Sequence, residues 1–494
     1  MTQICVALMD SSTAAMIDRM VDLQSMADLF EVRADALEDF DLLTLLRAKT
    51  RPLVFTCRAK EHGGVRDFDR EKRRALLMEA VKRGYDYVDV EHDSGFTDVM
   101  IEKAGQGLIV SHHDFEGMPA ELDQLYVRMT ALGADMAKIA VTPRSVADVG
   151  RLLDFAAHVQ RMGGPPLIPI AMGPLGLMTR VVGGRFGVPF TFAAAQAGRE
   201  TGPGQLSANE LAMVYRARSV SATTRVYGVL GVDVIHSLSP VLHNSAFSAR
   251  GVDAVYVPLQ AEALDPFMDA LPAFGLSGFG VTRPYKVEIL PRLSEIDEVA
   301  AHAGSVNTVT VRPDGGLSGT TSDGLGVLAP LRKRVEIKGR TVVIVGAGGA
   351  ARSAGLVLAR RGARVTVLAR RPEQAEEVAK AVGCTYGPLS ALAGRPWDVL
   401  INATPVGTRP HADATPVAKS LLRAGAVVFD MVYTPLETRL LRDARAAGCT
   451  TIDGLEMLVA QAGAQFEAWT GQEAPLDTMR DAALDYLAER EDRA

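Results

Sequence analysis

The first candidate for chemistry is Lys138, which lies inside the short apolar run "DMAKIAVTP" at residues 135–143. An ordinary lysine has a pKa of about 10.4 and is protonated at pH 7, whereas only the neutral amine attacks a carbonyl group. Desolvation by apolar neighbours and nearby guanidinium charges both favour the neutral form. Two interpretations are therefore open: a strand-end lysine that reaches water, or an amine held in a pocket to form a Schiff base.

Further polar side chains follow the other apolar runs of the first 220 residues. They are Glu31, Arg33, Arg58, His112, His113, Asp114, Arg180, Thr201 and Gln205. Arginines bind a carboxylate through two parallel hydrogen bonds. A histidine can take a proton from the carbon beside an imine and return it to a departing hydroxyl. Together with Lys138, these residue types favour an imine-assisted elimination on a small carboxylated keto compound, with His113 as general acid and base.

A glycine-rich turn in the second half has the pattern of a dinucleotide site. "TVVIVGAGGAAR" places the turn between an apolar strand and a helix, so that the helix N-terminus faces a pyrophosphate. The turn consists of Gly346, Ala347, Gly348, Gly349 and Ala350. The next strand is followed by Arg370 and Arg371 rather than by an acid. Arginines suit the 2′-phosphate of NADP, which we therefore predict as the cofactor.

The segment before this turn is rich in small polar residues. "GVDVIHSLSPVLHNSAF", "GFGVTRPYKVEIL", "GSVNTVTV" and "GTTSDGLG" suit a ligand with several hydroxyl groups. Lys286 and Asp323 are candidates for a proton-transfer pair. Taken alone, Lys286 is equally compatible with a solvated loop lysine.

The elements that must position these residues follow a regular pattern. From residue 1 to about 220, eight apolar runs alternate with amphipathic helical segments: "ICVAL", "LFEVR", "PLVFTC", "YVDVE", "LIVSHHDF", "AKIAV", "LIPIAM" and "PFTFA". An open doubly wound sheet also alternates, but eight regular units favour a closed (β/α)8 TIM barrel. In such a barrel the catalytic groups lie at the C-terminal ends of the strands.

We predict three domains in an α/β protein. The TIM barrel spans residues 1–220, and the polar stretch 216–228 is typical of a linker. An α/β substrate-binding domain spans 226–333 and is completed by C-terminal helices within 453–494. A Rossmann NADP-binding domain spans 338–452.

The first half resembles type I 3-dehydroquinate dehydratase. The motifs that carry the resemblance are "EVRAD", "FTCR", "SHHDF", "ADMAKIAVTP" and "GPGQL", and it extends over residues 1–215. It implies dehydration of 3-dehydroquinate to 3-dehydroshikimate, with Lys138 as the Schiff-base residue and His113 as general acid and base. It also implies substrate contacts from Glu31, Arg33, Arg58, Arg180, Thr201 and Gln205.

One departure from this family concerns the partner of His113. The family usually has a glutamate four residues after the position of Arg58, where "RAKEHGG" has His62. We expect Glu61 or Asp114 to take over the role of this glutamate, or otherwise a slow dehydratase. His112 matches no family position, and we interpret it as structural.

The second half resembles shikimate dehydrogenase over residues 226–494, with "NATPVGT", "DMVYTPLETRLL" and "GLEMLVAQ" added to the motifs above. The resemblance implies reversible NADPH-dependent reduction of 3-dehydroshikimate to shikimate, with Lys286 and Asp323 handling the proton. It places the shikimate ring and carboxylate on Ser237, Ser239, Thr282, Asn307 and Gln461. Gly280, Arg283 and the pair Thr321-Ser322 depart from the family pattern. We expect these departures to change affinity rather than reaction type.

Composition argues against several other classes of protein. The net charge is −6 and the charges are dispersed, which disfavours nucleic acid or a membrane as partner. The four cysteines are far apart and form no C-x-x-C pair, so we expect no disulfide framework and no metal site. The N-terminus enters a strand-like run almost directly, without room for a signal or transit peptide. We therefore expect a cytoplasmic protein.

The two resemblances support each other, because the product of the first reaction is the substrate of the second. We predict a bifunctional enzyme of the shikimate pathway, a lyase and an oxidoreductase in one chain, acting on small molecules. The alternative is a quinate/shikimate dehydrogenase, with NAD as a possible cofactor, whose barrel is weakly active or a non-catalytic scaffold. The sequence predicts neither the oligomeric state nor channelling of the intermediate.

Overall fold

The computed structural model describes residues 2–103 and 107–491 of the 494-residue chain. Contacts divide the chain into two compact units. The first runs to Pro240 and includes Asp253–Leu276, and the second consists of Val241–Val252 and the residues from Ser277 onward. None of the described helices has both the length and the apolar character needed to cross a bilayer.

The first unit begins with eight strands, and each coincides with one of the eight predicted apolar runs. They are β1 Gln3–Leu8, β2 Leu29–Arg33, β3 Leu53–Thr56, β4 Tyr87–Glu91, β5 Gly107–Asp114, β6 Met136–Val141, β7 Leu167–Ala171 and β8 Phe190–Ala194. Their ladders are parallel and run in the order β7-β6-β5-β4-β3-β2-β1-β8. Nearly continuous apolar runs are expected here, because both faces of a barrel strand are covered.

Seven helices accompany these strands: α1 Thr13–Leu23, α2 Leu42–Arg47, α3 Arg70–Arg83, α4 Thr97–Glu102, α5 Leu122–Ala131, α6 Val146–Met162 and α7 Leu177–Val181. Their ends follow the local sequence. The Asp69 side chain accepts a hydrogen bond from the Lys72 N–H at the start of α3. Gly84, with a left-handed φ of 82°, ends the same helix.

The interior of the barrel is filled by apolar side chains from the strands. One buried cluster contains Cys5, Leu29, Val54, Ile109, Met136, Ala140, Ile168, Ile170, Phe190 and Phe192, with Tyr87 of β4 packed against it. All eight strands therefore contribute to one core, as in a closed (β/α)8 barrel. The predicted fold class is confirmed.

The stretch predicted as a linker is packed onto the barrel. Arg218 Nε donates to Asp28 Oδ2 at 2.7 Å, and the side chains of Ala217 and Val220 are buried. The first unit continues with β9 Arg225–Gly231, the parallel strand β10 Ala254–Gln260 and α9 Leu264–Phe274.

Helix α9 packs directly on α6 of the barrel. Gly150 permits this close approach, because a Cβ atom there would lie 2.8 Å from Ala270 Cβ. The barrel and the first strands of the predicted second domain are therefore joined by side-chain packing and not only by the chain between them.

The second unit contains a small mixed set of strands: β11 Leu276–Val281, β12 Glu295–Ile296, β13 Thr308–Val311 and β14 Leu317–Thr320. β13 pairs antiparallel with β11 and with β14, and β12 pairs parallel with β14. The second unit also has a parallel sheet, described next. The helices of this unit that do not accompany that sheet are α8 Ser239–Ala249, α10 Tyr285–Glu288, α11 Glu298–Ala303, α12 Asp323–Arg332, α16 Gly454–Thr470 and α17 Leu476–Glu491.

The second unit also contains a six-stranded parallel sheet. Its strands are β15 Thr341–Val345, β16 Arg364–Ala369, β17 Thr385–Pro388, β18 Val399–Asn402, β19 Val427–Asp430 and β20 Thr450–Ile452. Helices α13 Gly349–Arg360, α14 Pro372–Val382 and α15 Arg439–Ala446 connect them. The order β17-β16-β15-β18-β19-β20 is that of a doubly wound Rossmann sheet. A ligand crevice is expected where this order reverses, between β15 and β18.

Candidate active sites

Lys138 is buried inside the barrel. It is the third residue of β6, its exposed fraction is 4%, and its Nζ donates a hydrogen bond to Asp89 of β4. The ammonium also lies 4.5 Å from the centroid of the Phe192 ring on β8. Of the two interpretations open from the sequence, the structure favours an amine held in a pocket.

Asp89 connects Lys138 to a buried network that the sequence analysis did not single out. Asp89 Oδ2 lies 2.9 Å from Arg58 Nη2, and Asp89 Oδ1 accepts from Ser111 Oγ at 2.6 Å. Burial opposes ionisation of Asp89, but the charges of Arg58 and Lys138 outweigh it and hold the pKa of this carboxyl well below its ordinary value. The carboxylate therefore stays charged and can stabilise a positive charge at Lys138 Nζ.

A second buried acid, Glu91, fixes the arginine of this network. Its carboxylate binds Arg58 Nη1 at 3.2 Å and Arg73 Nη2 at 2.7 Å. The signal for both acids was present in "YVDVE", where strand alternation places Asp89 and Glu91 on the same face of β4. Two acids on one face of an otherwise apolar strand indicate an internal charge network.

His113 is the second predicted catalytic residue of the barrel and lies near the end of β5, opposite Ala140 of β6. Burial, together with the positive charges of Arg58 and Lys138, holds the pKa of this imidazole well below its usual 6.5. His113 is therefore neutral at pH 7, the form that a general base requires. Its sensitivity to the charges of Arg58 and Lys138 indicates that the three side chains share one site.

This low pKa predicts the pH dependence of the barrel's reaction. A base must be deprotonated to act, so protonation of His113 removes activity as pH falls through its lowered pKa. We expect the acidic limb of kcat/KM for the dehydration to lie below pH 6.5. Initial rates between pH 4.5 and 8 measure it, and a limb centred at or above 6.5 would contradict the assignment of His113 as the base.

The remaining predicted residues of the barrel lie around the same strand ends, but they differ in their partners. Arg33 forms two hydrogen bonds with Asp35, at 2.9 and 2.7 Å. Glu31 accepts from Thr56 Oγ1 at 2.8 Å. These two predicted contact residues are therefore already held by neighbouring side chains.

Arg180 is the arginine best suited to a substrate carboxylate. It is buried, with an exposed fraction of 4%, and burial lowers its pKa to about 10. Among the described residues its Nε has no hydrogen-bond partner, while Nη2 donates to Pro203 O at 3.2 Å. The same loop holds Thr201 and Gln205, whose side chains are joined by a hydrogen bond of 3.0 Å. A substrate carboxylate would accept a hydrogen bond from Arg180 Nε.

The partner of His113 is neither of the two expected acids. Glu61 is exposed, and Asp114 Oδ1 instead accepts from the backbone N–H groups of Glu116 and Gly117, at 2.9 Å each. The ring of His62 lies against His113, with centroids 6.0 Å apart. His112, predicted as structural, pairs with His92 through ring nitrogens 3.0 Å apart.

In the second unit, Lys286 and Asp323 form the predicted pair. Lys286 lies in α10, Asp323 is the first residue of α12, and Lys286 Nζ donates to Asp323 Oδ2. Asn307 Nδ2 donates to Asp323 Oδ1 at 2.6 Å. At the departure Thr321-Ser322, the Ser322 hydroxyl accepts a hydrogen bond from Asn307 Nδ2 at 3.1 Å and so contacts the residue that binds Asp323.

The glycine-rich turn has the shape that a dinucleotide requires. Gly346 adopts a φ of 116°, and a Cβ there would lie 2.8 Å from Ala403 O. A Cβ at Gly348 would meet nothing within 4 Å, so the turn leaves room for a pyrophosphate at the start of α13. Arg370 and Arg371 follow β16 and are exposed. A Cβ at Gly349 would lie 3.8 Å from Lys286 Cδ, so the lysine adjoins the turn.

The other predicted contacts of the shikimate ring are divided between the two units. Ser237 and Ser239 lie in the first unit, with hydroxyl oxygens 3.1 Å apart. Thr282 and Gln461 are half-buried in the second unit. One turn beyond Gln461, the unpredicted Gln465 donates to Asn307 O at 2.9 Å and so supports Asn307 from the far side.

Comparison with known families accounts for most of the chain. Residues 4–222 match the family model for type I 3-dehydroquinase. Residues 229–309 match the shikimate dehydrogenase substrate binding domain, 329–430 the shikimate/quinate 5-dehydrogenase family, and 454–484 the shikimate 5′-dehydrogenase C-terminal domain.

Individual relatives agree with these matches. The chain is similar to the chloroplastic bifunctional 3-dehydroquinate dehydratase/shikimate dehydrogenase of Arabidopsis thaliana, with 36% identity, covering 96% of this chain and 82% of the relative. It is 43% identical to the shikimate dehydrogenase (NADP(+)) of Pyrococcus abyssi, covering 53% of this chain and 98% of the relative. A crystal structure of a shikimate dehydrogenase in complex with NADP+ matches with a TM-score of 0.52 and 37% identity, covering 54% of this chain and 96% of that one.

Proposed function

Because this chain belongs to the family of bifunctional 3-dehydroquinate dehydratases/shikimate dehydrogenases, we propose that its two halves catalyse consecutive steps through the residues described above. The barrel is a lyase that converts 3-dehydroquinate to 3-dehydroshikimate. The second half is an NADP-dependent oxidoreductase that reduces 3-dehydroshikimate to shikimate. The observation that carries the proposal is the buried Lys138 beside a neutral His113, in one chain with Lys286 and Asp323 at a dinucleotide turn.

In the barrel, the substrate carboxylate binds at Arg180. Lys138 starts as an ammonium paired with Asp89 and passes a proton to the neutral His113, and the amine so formed adds to the ketone. His113 returns this proton to the hydroxyl of the adduct, which leaves as water, and a protonated imine remains. Asp89 stabilises the positive charge of this imine, since its own carboxylate stays ionised. His113 removes a proton from the adjacent carbon and returns it to the departing hydroxyl, which leaves as water. Hydrolysis of the imine then releases 3-dehydroshikimate and regenerates Lys138.

In the second half, the dinucleotide turn and the N-terminus of α13 hold the pyrophosphate, while Arg370 and Arg371 hold the 2′-phosphate. When bound there, NADPH would supply the hydride for the reduction. Lys286 supplies the proton for the resulting alkoxide, and Asp323 orients the ammonium. Ser237, Ser239, Thr282, Asn307 and Gln461 remain the proposed contacts to the shikimate ring and carboxylate.

A coupled assay tests both halves at once. Purified protein given 3-dehydroquinate and NADPH is expected to form shikimate and to consume one NADPH for each shikimate. Loss of NADPH fluorescence measures the second step, and absorbance of the enone of 3-dehydroshikimate, without NADPH, measures the first. Folded protein that forms no shikimate under these conditions would contradict the proposal.

The same assay decides between this function and the alternative. A quinate dehydrogenase would oxidise quinate faster than shikimate and would accept NAD in place of NADP. A scaffold barrel would leave 3-dehydroquinate unchanged while 3-dehydroshikimate was still reduced. The family model for the second half includes both shikimate and quinate enzymes, so both polyols should be compared directly.

Cofactor choice gives a separate prediction for Arg370 and Arg371. Replacing both by glutamine removes the proposed charge-assisted hydrogen bonds to the 2′-phosphate, so KM for NADPH should rise by about 10- to 100-fold. KM for NADH should stay within about twofold. Arg361→Gln, an exposed arginine at the other end of α13, is the control and should change neither constant. An equal rise for both cofactors would contradict the assignment.

We also propose the domain boundaries 1–220, 226–333 with 453–494, and 338–452, which the separate family matches support. We propose a cytoplasmic location on the basis of the cysteines Cys5, Cys57, Cys384 and Cys449, all of which are free thiols. Imaging of a fluorescent fusion of the full chain tests this location.

A further inference from the structure

His62 lies beside a carboxylate on one side and against the ring of His113 on the other. Its Nε2 lies 3.2 Å from Asp93 Oδ1, in the loop that follows β4. Its ring meets the ring of His113 edge to face, with an interplanar angle of 67°. Asp93, His62 and His113 therefore form a row that ends at the base of the proposed dehydration.

The ring nitrogens that could link His62 to His113 are the two Nδ1 atoms. His62 Nδ1 and His113 Nδ1 are both buried, and neither has a hydrogen-bond partner within the part of the chain that the structure describes. Burying such atoms without a partner destabilises the folded state. With ring centroids 6.0 Å apart, a bridging water molecule would link the two Nδ1 atoms.

The proton positions in this row are determined by its acidic end. Because Asp93 only accepts, His62 carries its proton on Nε2, and its Nδ1 is an acceptor. His113 must then carry its proton on Nδ1 to complete the chain, which leaves the lone pair of Nε2 free for the substrate. When Nε2 takes the substrate's proton, the positive charge can be shared with His62 beside the Asp93 carboxylate.

We propose that Asp93 and His62 are a positioning pair for His113, fixing its tautomer and sharing the proton that it removes from the substrate. This inference rests on the proposed dehydratase function and adds two residues to it. His62 here acts through His113, and Asp93 acts through His62.

Other charged groups around this row do not replace the pair. Arg58 in the loop after β3, Lys138 on β6 and Asp89 on β4 influence the charge of His113 without a hydrogen bond to its ring. His92 and His112 face His62 and bond to each other. Phe115 covers the loop from above, so that a Cβ at Gly63 would lie 2.7 Å from its ring. The rings of His62 and His113 are thus shielded from water, whereas the Asp93 side chain is about half exposed.

The test uses the full-length chain, whose dehydrogenase activity reports on folding in every variant. His62→Leu and Asp93→Asn should each lower kcat of the dehydration by about 10- to 100-fold, with KM changed less than about threefold. His62→Gln keeps an acceptor and should recover part of the loss. The double variant should be no slower than His62→Leu, since both changes remove the same chain. Glu61→Gln, an exposed neighbour on the same turn, is the control and should behave as wild type.

Nitrogen-15 spectra of histidine-labelled protein give a readout independent of turnover. His113 is expected as the Nδ1–H tautomer in the wild type and should shift toward the Nε2–H tautomer in His62→Leu. Single variants within twofold of wild type, losses that multiply in the double variant, or an unchanged His113 tautomer would each overturn the inference. If the unaltered chain lacks dehydratase activity, the proposed function fails first and this inference fails with it.

Discussion

Lys138→Met is expected to abolish dehydration of 3-dehydroquinate and to leave reduction of 3-dehydroshikimate unchanged. The substitution removes the amine that forms the imine, so the rate should fall by about 10⁴-fold or more, as for other covalent nucleophiles. The fold should persist, because Asp89 keeps its contacts with Arg58 at 2.9 Å and Ser111 at 2.6 Å. Buried charge is therefore not left without a partner.

Chemical trapping identifies the lysine directly. Borohydride reduces an imine to a stable amine, so wild-type protein incubated with 3-dehydroquinate should gain the mass of the reduced adduct on the peptide containing Lys138. Lys138→Met should gain none. Lys60→Met is the control, since Lys60 is an exposed lysine of the β3–α3 loop. A trapped adduct in Lys138→Met, or activity within tenfold of wild type, would exclude the mechanism.

The elements of the barrel could be predicted from the sequence because each parallel strand is covered on both faces. Such strands are short continuous apolar runs, and "LIPIA" of β7 is apolar throughout. The position of Lys138 within a run of this kind left open whether its amine reached water, and the structure shows that it is buried. What holds the amine could not be predicted in the same way, because Asp89 lies two strands away and the contact depends on barrel closure.

Contacts between loops were the least predictable part of the site. His62 departs from the family pattern, and the acids expected in its place were Glu61, next to His62, and Asp114, next to His113. The acid that contacts His62 is Asp93, 31 residues later, and the two loops meet only because β3 and β4 are neighbours. The same limit applies to α16, where Gln461 and Gln465 lie one helical turn apart and both fit a polar helix face. Only the structure shows that Gln465 is the one that donates to Asn307.

The polar stretch 216–228 shows a different limit of sequence patterns. Its serine, threonine and arginine content is typical of a linker, yet Arg218 bonds to Asp28 and α9 packs on α6 of the barrel. A segment whose long polar side chains form defined ion pairs can have the same amino-acid composition as a solvated linker. Composition alone therefore cannot separate the two cases.

The second large effect is expected at Lys286 and Asp323. Lys286→Met removes the proposed proton donor, and Asp323→Asn removes the charge that orients it. Each should lower kcat of the reduction by about 10²- to 10⁴-fold, the usual contribution of a positioned acid or base. In the wild type, Asn307 Nδ2 donates to Asp323 Oδ1 at 2.6 Å. Asp323→Asn keeps an oxygen that can accept this hydrogen bond, so the local fold should be retained.

Separate measurements distinguish this role from a merely structural one. NADPH binding, followed by fluorescence titration, should stay within about threefold of wild type, and dehydratase activity of the same preparations should not change. Glu288→Gln, an exposed acid in the same short helix as Lys286, is the matched control. If Lys286→Met reduces 3-dehydroshikimate at a rate near that of wild type, Lys286 is not the proton donor. If instead binding and both activities fall together, the pair stabilises the fold and the catalytic assignment fails.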